Sequence, residues 1–332
     1  MKKWLMVISI FAVVLAGCSG KKDAASGSTQ QQTVNLSLNH VGATNHFYQD
    51  GSLKFAELVK EATNGAITID VFPASQIASG AKAIEFVQMG TLDIALESTM
   101  ALENFVPEAG VLNLPFMFKT KQDAFRILDG DIGREIEKAA EDKGFKILAW
   151  WDNGFRAISN SSKPIKMPAD IRGLKIRVPE SKVFIETFQT LGAVPTAMAV
   201  SEVFSALQLH TVDGQENTPA NFINNKYAEV NRFFSDSKHI YTAEPLIMSL
   251  SKFNELSQGQ QEALLNAAKE AGEYERQLAL KADQEEIEII RTAGVHVDTF
   301  TDAAAWITAV QPVYRQFPQF DSLRQKIQAA QQ

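Results

Sequence analysis

Arg156 and Arg177 are the two side chains whose surroundings ask for a chemical partner. Arg156 follows Trp150-Trp151-Asp152-Asn153-Gly154-Phe155, directly after a predicted strand. Arg177 lies inside Leu174-Lys175-Ile176-Arg177-Val178-Pro179, an otherwise apolar short strand. A strand-end guanidinium in an apolar setting needs an anion, because an unpaired buried charge is costly. Its two parallel donors match a carboxylate. On spacing alone, an ion pair with a nearby Asp or Glu accounts for each arginine more simply than a ligand does. A third cluster is Val212-Asp213-Gly214-Gln215-Glu216-Asn217. Amides after the Asp213-Gly214 turn can finish a carboxylate's hydrogen bonds. Alone, this cluster reads as an ordinary polar loop.

Enzyme signatures are missing. The chain has no G-x-S-x-G, no phosphate-binding loop, no H-E-x-x-H and no G-x-G-x-x-G. Its histidines are scattered, and none pairs with Cys or carboxylates at metal-ligand spacing. Leu128-Asp129-Gly130-Asp131 brings two aspartates together but lacks the remaining ligands of a calcium loop, so it reads as a solvated turn. Neither an enzyme nor a resident metal or cofactor is expected. The formal net charge of −7 argues against general affinity for nucleic acid. It leaves room for an anionic ligand, since a site's local charge can oppose the global one.

The elements that must position these residues follow a regular rhythm. Val34, Leu36 and Leu38 alternate with polar residues, as in a strand. Helical spacing through Phe47, Phe55, Leu58 and Val59 ends at Asn64-Gly65, and Ile67–Phe72 is a β-branched strand. Ala81, Ile84 and Val87 mark a second helix before the strand Leu92–Leu96. The rhythm continues through helices at Ala124–Leu128 and Ile132–Lys143, strands at Lys146–Trp151 and Lys175–Val178, and helices over Val183–Leu191 and Ser201–Leu209. Ile240–Thr242 and Leu246–Leu250 read as two further strands. Alternating β and α segments predict parallel sheets covered by helices. Ser257 and Gln260 then form a capping box, and the helix they open runs to Ala293. At about 1.5 Å per residue it is roughly 50 Å long, deeper than one small domain. No heptad survives Gly272-Glu273, so the helix is expected to lie across two lobes rather than in a coiled coil. Val295–Phe300 is a late strand, and Trp306, Val310 and Val313 begin a closing helical segment. A cleft between two lobes is a favoured small-molecule site.

The first residues belong to a different world. Lys2 and Lys3, the apolar run from Trp4 to Leu15, and Leu15-Ala16-Gly17-Cys18 make a signal peptide. The run is shorter than the about 20 apolar residues of a membrane span. Cys18, the only cysteine, excludes an intrachain disulfide and stands where a bacterial lipoprotein carries its acylated residue. Residues 1–18 are therefore expected to be a lipoprotein signal and 19–32 a flexible tether of Lys, Ser, Gly, Ala and Gln. The folded part faces an extracytoplasmic space, the periplasm or the outer cell surface, held to a membrane by its lipid anchor alone.

Taken together, the segments resemble the solute-binding proteins of TRAP transporters, the DctP-like family. The likeness runs from about Asn35 to Phe320. It includes Phe55-Ala56-Glu57-Leu58-Val59, Thr63-Asn64-Gly65, Val71-Phe72-Pro73-Ala74-Ser75-Gln76 and Leu114-Pro115-Phe116. Its stronger part is the ordered set Asn153-Gly154-Phe155-Arg156, Gly173-Leu174-Lys175-Ile176-Arg177-Val178-Pro179 and Asp213-Gly214-Gln215-Glu216-Asn217. The resemblance implies an α/β, two-lobed periplasmic-binding-protein-like fold with a central ligand cleft and a long helix spanning both lobes. Lobe I is expected to comprise 33–154 and 243–282, lobe II 155–242 and 283–332. It also implies a monomer that captures a small organic acid and delivers it to a small and a large membrane subunit.

By the same resemblance Arg177 pairs with the ligand carboxylate, Arg156 supports it and Asn217 donates to one of its oxygens. Glu97, in Ala95-Leu96-Glu97-Ser98, matches an acidic residue that accepts from hydroxyls in sugar-acid binders. Asn39, His40, Trp151, Asn153 and Gln215 complete the expected ligand-binding set, and Trp150 is an alternative to Trp151 as the flanking aromatic. The chain departs from the family at Ile77-Ala78-Ser79-Gly80-Ala81, where Leu-Gly and a charged pair are usual, and at Thr218, where Pro is common. Val200 replaces an aromatic of sialic-acid members, against sialic acid as ligand. A hydroxylated monocarboxylate such as a uronate or aldonate is favoured. A four-carbon dicarboxylate is the alternative ligand, with His40 as a second cationic contact if protonated. A binding protein of an ATP-driven importer is the alternative assembly.

Overall fold

The structure is a computed structural model that describes residues 33–300 and 303–331. The expected leader, Cys18 and the tether lie outside the described residues. In chain order the strands are β1 (Val34–His40), β2 (Ile67–Phe72), β3 (Ile94–Leu96), β4 (Phe145–Phe155), β5 (Ala157–Asn160), β6 (Lys175–Val178), β7 (Val194–Ala197), β8 (Gly214–Asn217), β9 (Phe233–Asp236), β10 (Tyr241–Ser249) and β11 (His296–Thr299). Two sheets result, ordered β2-β1-β3-β10-β4 and β11-β9-β5-β8-β6-β7. The first begins as the apolar rhythm predicts. β1 pairs in parallel with β2 and with β3, and the helices Phe47–Ala62 and Ala81–Met89 make the crossovers. Leu36 and Leu38 of β1 point into a core that also holds Phe55 and Val59 of the first helix.

The chain passes between the sheets at three places. β4 ends at Phe155, opposite Tyr241, and β5 begins at Ala157, so Arg156 alone separates the two sheets there. The return from β9 to β10 runs beside it, and the Arg156 amide donates to the Ile240 carbonyl at 2.8 Å. The third link is the helix Gln258–Thr292, of 35 residues, opened by the predicted capping box of Ser257 and Gln260. It packs on the helix Phe47–Ala62 and β4 along one stretch and on the helix Pro219–Asn224 and β11 along another.

Small residues let this long helix approach β4. A Cβ on Gly272 would come within 2.8 Å of the Trp151 ring, and one on Gly51 of the first helix within 2.9 Å of it. The indole is thus wedged between two helices, fully buried, with Nε1 donating to the Ala268 carbonyl at 3.2 Å. This close approach explains why the heptad fails at Gly272-Glu273.

Two departures from the sequence-based expectation have physical causes. Ile240–Thr242 and Leu246–Leu250 are not separate strands: β10 runs through Glu244-Pro245 without a break. Pro245 has no N–H to give the ladder, and register shifts at Thr242/Ala243 and Leu246/Ile247 flank it, where a strand proline is tolerated. Its carbonyl still accepts, from the Glu97 amide at 3.3 Å. Secondly, Gln215-Glu216-Asn217 is no loop but the buried strand β8. The closing segment touches both halves of the chain: Trp306 Nε1 donates to the Lys166 carbonyl, whereas Tyr314 donates to Pro115 and Lys326 pairs with Glu135. No described helix is long and apolar enough to cross a membrane.

The wedge carries a test. Gly272→Val places atoms where the indole lies, and overpacking of this kind costs about 1–3 kcal/mol. The urea midpoint should fall accordingly, and a midpoint equal to the parent's would contradict the close packing.

Candidate functional site

A cavity of about 570 Å³, its open mouth included, is lined from both sheets. Arg177 of β6, Asn217 of β8 and Arg156 at the crossing contribute from the second sheet's side; Glu97 after β3, Asn153 of β4 and Glu244 of β10 contribute from the first. Apolar side chains, among them Val41, Met100, Met198 and Val200, fill the spaces between them.

The two arginines are not equivalent. Arg156 is 1% exposed and bound to Glu216, with Nε to Oε2 at 2.5 Å and Nη2 to Oε1 at 2.8 Å; Nη2 also reaches the Glu216 carbonyl at 3.0 Å. Its Nε–Nη2 edge is consumed by this fork and its ring-like plane lies over Phe184. Burial alone would raise the Glu216 carboxyl, but the Arg156 charge and hydrogen bonds, with help from His239, hold it down at about 2. His239 Nε2 lies 3.5 Å from Glu216, and burial lowers the imidazole pKa.

Arg177 is 3% exposed and has no acidic partner among the described residues. Its Nε and Nη2 both donate to the Met198 carbonyl, at 3.0 and 2.6 Å. The Nη1–Nη2 edge is left over. Burial lowers its pKa from the usual arginine value, yet a guanidinium stays charged in a protein. Asn217 Oδ1 accepts from the Thr218 amide at 2.9 Å, which leaves its Nδ2 donors for the cavity it lines.

The wall from the first sheet is acidic. Glu97 Oε1 accepts from the Gly80 amide at 3.1 Å. Glu244 Oε2 accepts from Asn153 Nδ2 at 3.0 Å, and Asn153 Oδ1 accepts from Asn221 Nδ2 at 3.3 Å. Burial pushes Glu244 up to about 8, against the lowering effects of Asn153 and Arg156. Burial, then the charge of Glu244, pushes Glu97 well above the usual carboxyl range.

Of the residues singled out from sequence, the structure brings Arg177, Arg156, Asn217, Glu97 and Asn153 together around this cavity. Asn39, His40, Trp151 and Gln215 do not line it. Asn39 holds the backbone of Ile77 and Ala78, at 3.1 and 2.9 Å. His40 meets Gln49 at 2.9 Å, and burial lowers its pKa. Trp151 is the wedge described above, while Trp150 Nε1 donates to Glu137 at 2.8 Å. Gln215 donates to Ser159 Oγ at 2.8 Å. Sequence reasoning missed Glu244 and Asn221. Glu244 carried a usable signal, since a lone carboxylate inside an otherwise apolar strand is as conspicuous as the lone arginine of β6.

The Arg156–Glu216 pair should control acid stability. A carboxyl held below its unfolded value adds stability above that value and loses it as pH falls towards about 2. Glu216→Gln leaves Arg156 uncompensated and should cost about 3–5 kcal/mol at neutral pH. The deficit should shrink as the pH of the denaturation series is lowered through the acid range. A deficit that stays constant there would remove the ion pair from the account.

Comparison with known proteins agrees with this geometry. Residues 38–319 match the family of bacterial extracellular solute-binding proteins, family 7. The 2,3-diketo-L-gulonate-binding periplasmic protein YiaO of Escherichia coli is 36% identical over 258 residues, covering 77% of this chain and 78% of its own. The C4-dicarboxylate-binding periplasmic protein DctP of Rhodobacter capsulatus is 32% identical over 307 residues, covering 90% and 91%. A crystal structure of a TRAP periplasmic solute-binding protein from Roseobacter denitrificans with bound β-D-glucuronate superposes with a TM-score of 0.86 at 34% identity, over 89% of this chain and 99% of its own. The chain belongs to the bacterial extracellular solute-binding proteins of family 7, the solute-binding components of TRAP transporters.

Proposed function

We propose that this chain captures a hydroxylated organic acid, with a uronate as the favoured class, by clamping its carboxylate on Arg177. The observation that carries the reading is the buried guanidinium of Arg177, which lines the cavity and makes no ion pair among the described residues. With Nε and Nη2 on Met198, the Nη1–Nη2 edge offers the paired donors that a carboxylate takes. Arg156, anchored on Glu216, supplies Nη1, and Asn217 supplies Nδ2. Charge-assisted bonds are worth about 1.5–3 kcal/mol each. Micromolar binding needs about −8 kcal/mol, so carboxylate contacts alone fall short once ordering is charged against them. Contacts from the first sheet's wall and exclusion of water supply the rest, and the ligand favours whichever arrangement of the two sheets makes both sets at once. The loaded protein then docks on the small and large membrane subunits of a TRAP permease.

Two relatives support the sugar-acid class, one named for 2,3-diketo-L-gulonate and one holding β-D-glucuronate. A four-carbon dicarboxylate is the second reading, supported by the Rhodobacter capsulatus relative. His40 does not help it, because the residue lies outside the lining and burial disfavours its charged form. The deciding experiment is titration calorimetry against D-glucuronate, D-galacturonate, D-galactonate, 2,3-diketo-L-gulonate, succinate and malate. Arg177→Ala should weaken the best of these about 100-fold or more, from two lost charged bonds. Equal affinity in the variant would sink the carboxylate clamp.

The leader supports export and a lipid anchor on Cys18. Mass spectrometry of the membrane-bound protein should find an acylated peptide beginning at Cys18, and Cys18→Ser should release the protein to the soluble fraction. An unmodified peptide spanning residues 15–20 would dismiss the anchor.

A further inference from the structure

Thr218, where the chain departs from the family's common Pro, has a backbone that a proline could adopt. It caps the helix Pro219–Asn224 with φ −68° and ψ 154°, extended as a residue before a proline prefers to be. A threonine there adds two groups that proline lacks, an amide N–H and a hydroxyl. Both are taken up by asparagines. The amide donates to Asn217 Oδ1 at 2.9 Å. The hydroxyl oxygen accepts from Asn221 Nδ2 at 3.0 Å, and Asn221 Nδ2 also donates to Asn153 Oδ1 at 3.3 Å. Asn153 gives its own Nδ2 to Glu244 at 3.0 Å. All three asparagines line the cavity, whereas Thr218 is buried outside the lining.

We propose that Thr218 is a positioning residue for the ligand: its amide fixes which end of the Asn217 carboxamide faces the cavity, and its hydroxyl does the same for Asn153 through Asn221. The inference rests on the carboxylate clamp proposed above, in which Asn217 supplies a donor. A carboxamide has an accepting end and a donating end of nearly equal size. Only the donating end suits a ligand carboxylate. A backbone N–H can only donate, so the end of Asn217 that meets Thr218 is Oδ1, and Nδ2 is turned the other way. The reversed carboxamide would set two donors against each other in a buried place, which is costly. It would also aim an oxygen at the ligand's negative charge.

The Asn217 backbone is held by β8, where it pairs with Ala157 of β5, so only its side chain is left to orient. Among the described residues the Thr218 amide is the one hydrogen-bond partner of that side chain. The second branch works by the same logic. Asn221 Nδ2 donates to both the Thr218 hydroxyl and Asn153 Oδ1, so Asn153 presents Nδ2 to Glu244. Both branches start at one residue, and three substitutions separate them. Thr218→Pro keeps the backbone angles and removes both groups. Thr218→Val keeps the N–H and removes the hydroxyl. Thr218→Ser keeps both.

The experiment is calorimetry with D-glucuronate, D-galactonate and succinate on the parent, on these three variants, and on Asn217→Ala with and without Thr218→Pro. Thr218→Pro should weaken every acid that the parent binds by about tenfold, the share of one charge-assisted bond. Thr218→Val should weaken them by about threefold, and Thr218→Ser should stay within about twofold of the parent. On the Asn217→Ala background the proline should cost no more than valine costs alone, because its larger effect runs through Asn217. A merely structural role would cost the same on both backgrounds. Thermal melts show which variants are folded. Should the proline variant not fold, the α-hydroxy analogue of threonine at 218 removes the N–H alone and should reproduce the loss that valine lacks. Parent-like binding without the N–H, equal losses for proline and valine, or equal proline losses on both backgrounds overturn the positioning role and leave the clamp standing. If no acid binds the parent, or Arg177→Ala binds as tightly as the parent, the clamp falls and this inference with it.

Discussion

A buried positive charge without a counter-charge is the constraint on which the site depends. Arg177 could be kept cheaply only by an acid, and the chain supplies one to Arg156 instead. The Met198 carbonyl offsets part of the desolvation cost of Arg177, while an uncompensated buried ion costs several kcal/mol. On the proposed clamp, that cost is recovered when an anion arrives. A ligand held there would therefore stabilise the folded chain by mass action. The satisfied arginine has a different task. Its fork on Glu216 spans the single residue between β4 and β5 and the strand β8 beyond them, so it fixes where the second sheet begins relative to the first.

The scaffold keeps that crossing in place through a second set of buried charges. Lys121 bridges Asp152 of β4 to Asp283 of the long helix, at 2.7 Å to each. Burial opposes its charge, but the two aspartates hold its pKa above the ordinary lysine value. The next turns of the same helix add Glu275, which accepts from the Asp152 amide, and Arg276, which grips Asp129 and the Trp150 carbonyl. Between these ties β4 makes its turn towards the cavity at Gly154, whose φ of 112° few side chains tolerate. A Cβ there would also sit 3.3 Å from the Lys121 ammonium. Asn153, which orients Glu244, is thus placed by contacts made on the opposite side of its own strand.

The legible parts of the sequence are those set by local chemistry. The parallel start of the first sheet, the capping box at Ser257 and the length of the long helix follow from apolar spacing and end signals. The parts that stayed hidden depend on distant partners. Gln215, Glu216 and Asn217 look like a loop because three polar residues in a row rarely form a buried strand. They do so here because Arg156, 60 residues away, and Ser159 satisfy them. The family resemblance ordered Arg156, Arg177 and Asn217, yet could not say which arginine was already occupied. Its partner, Glu216, stood beside Asn217 in plain view. Trp151 and His40 show the opposite failure: both have the chemistry of a ligand contact, but the close helices at Gly51 and Gly272 claim one and Gln49 the other.

Charge counting then limits what this scaffold can bind. With Arg156 locked to Glu216, the described lining has one cation without an ion pair, Arg177, and three acids, Glu97, Glu180 and Glu244. On the proposed clamp, a second ligand carboxylate would call for a change in that count, by freeing the crossing arginine or by placing neutral or basic residues where the acids stand. Freeing the arginine is the dearer route, because the same pair fixes the sheet crossing and its loss is a loss of stability. Replacing the acids leaves the fork on Glu216 in place, since neither Glu97 nor Glu244 makes an ion pair among the described residues and both accept from neutral donors. Selectivity is therefore expected to vary at the acidic wall while the arginine fork persists. The division follows from which buried charges the fold itself consumes.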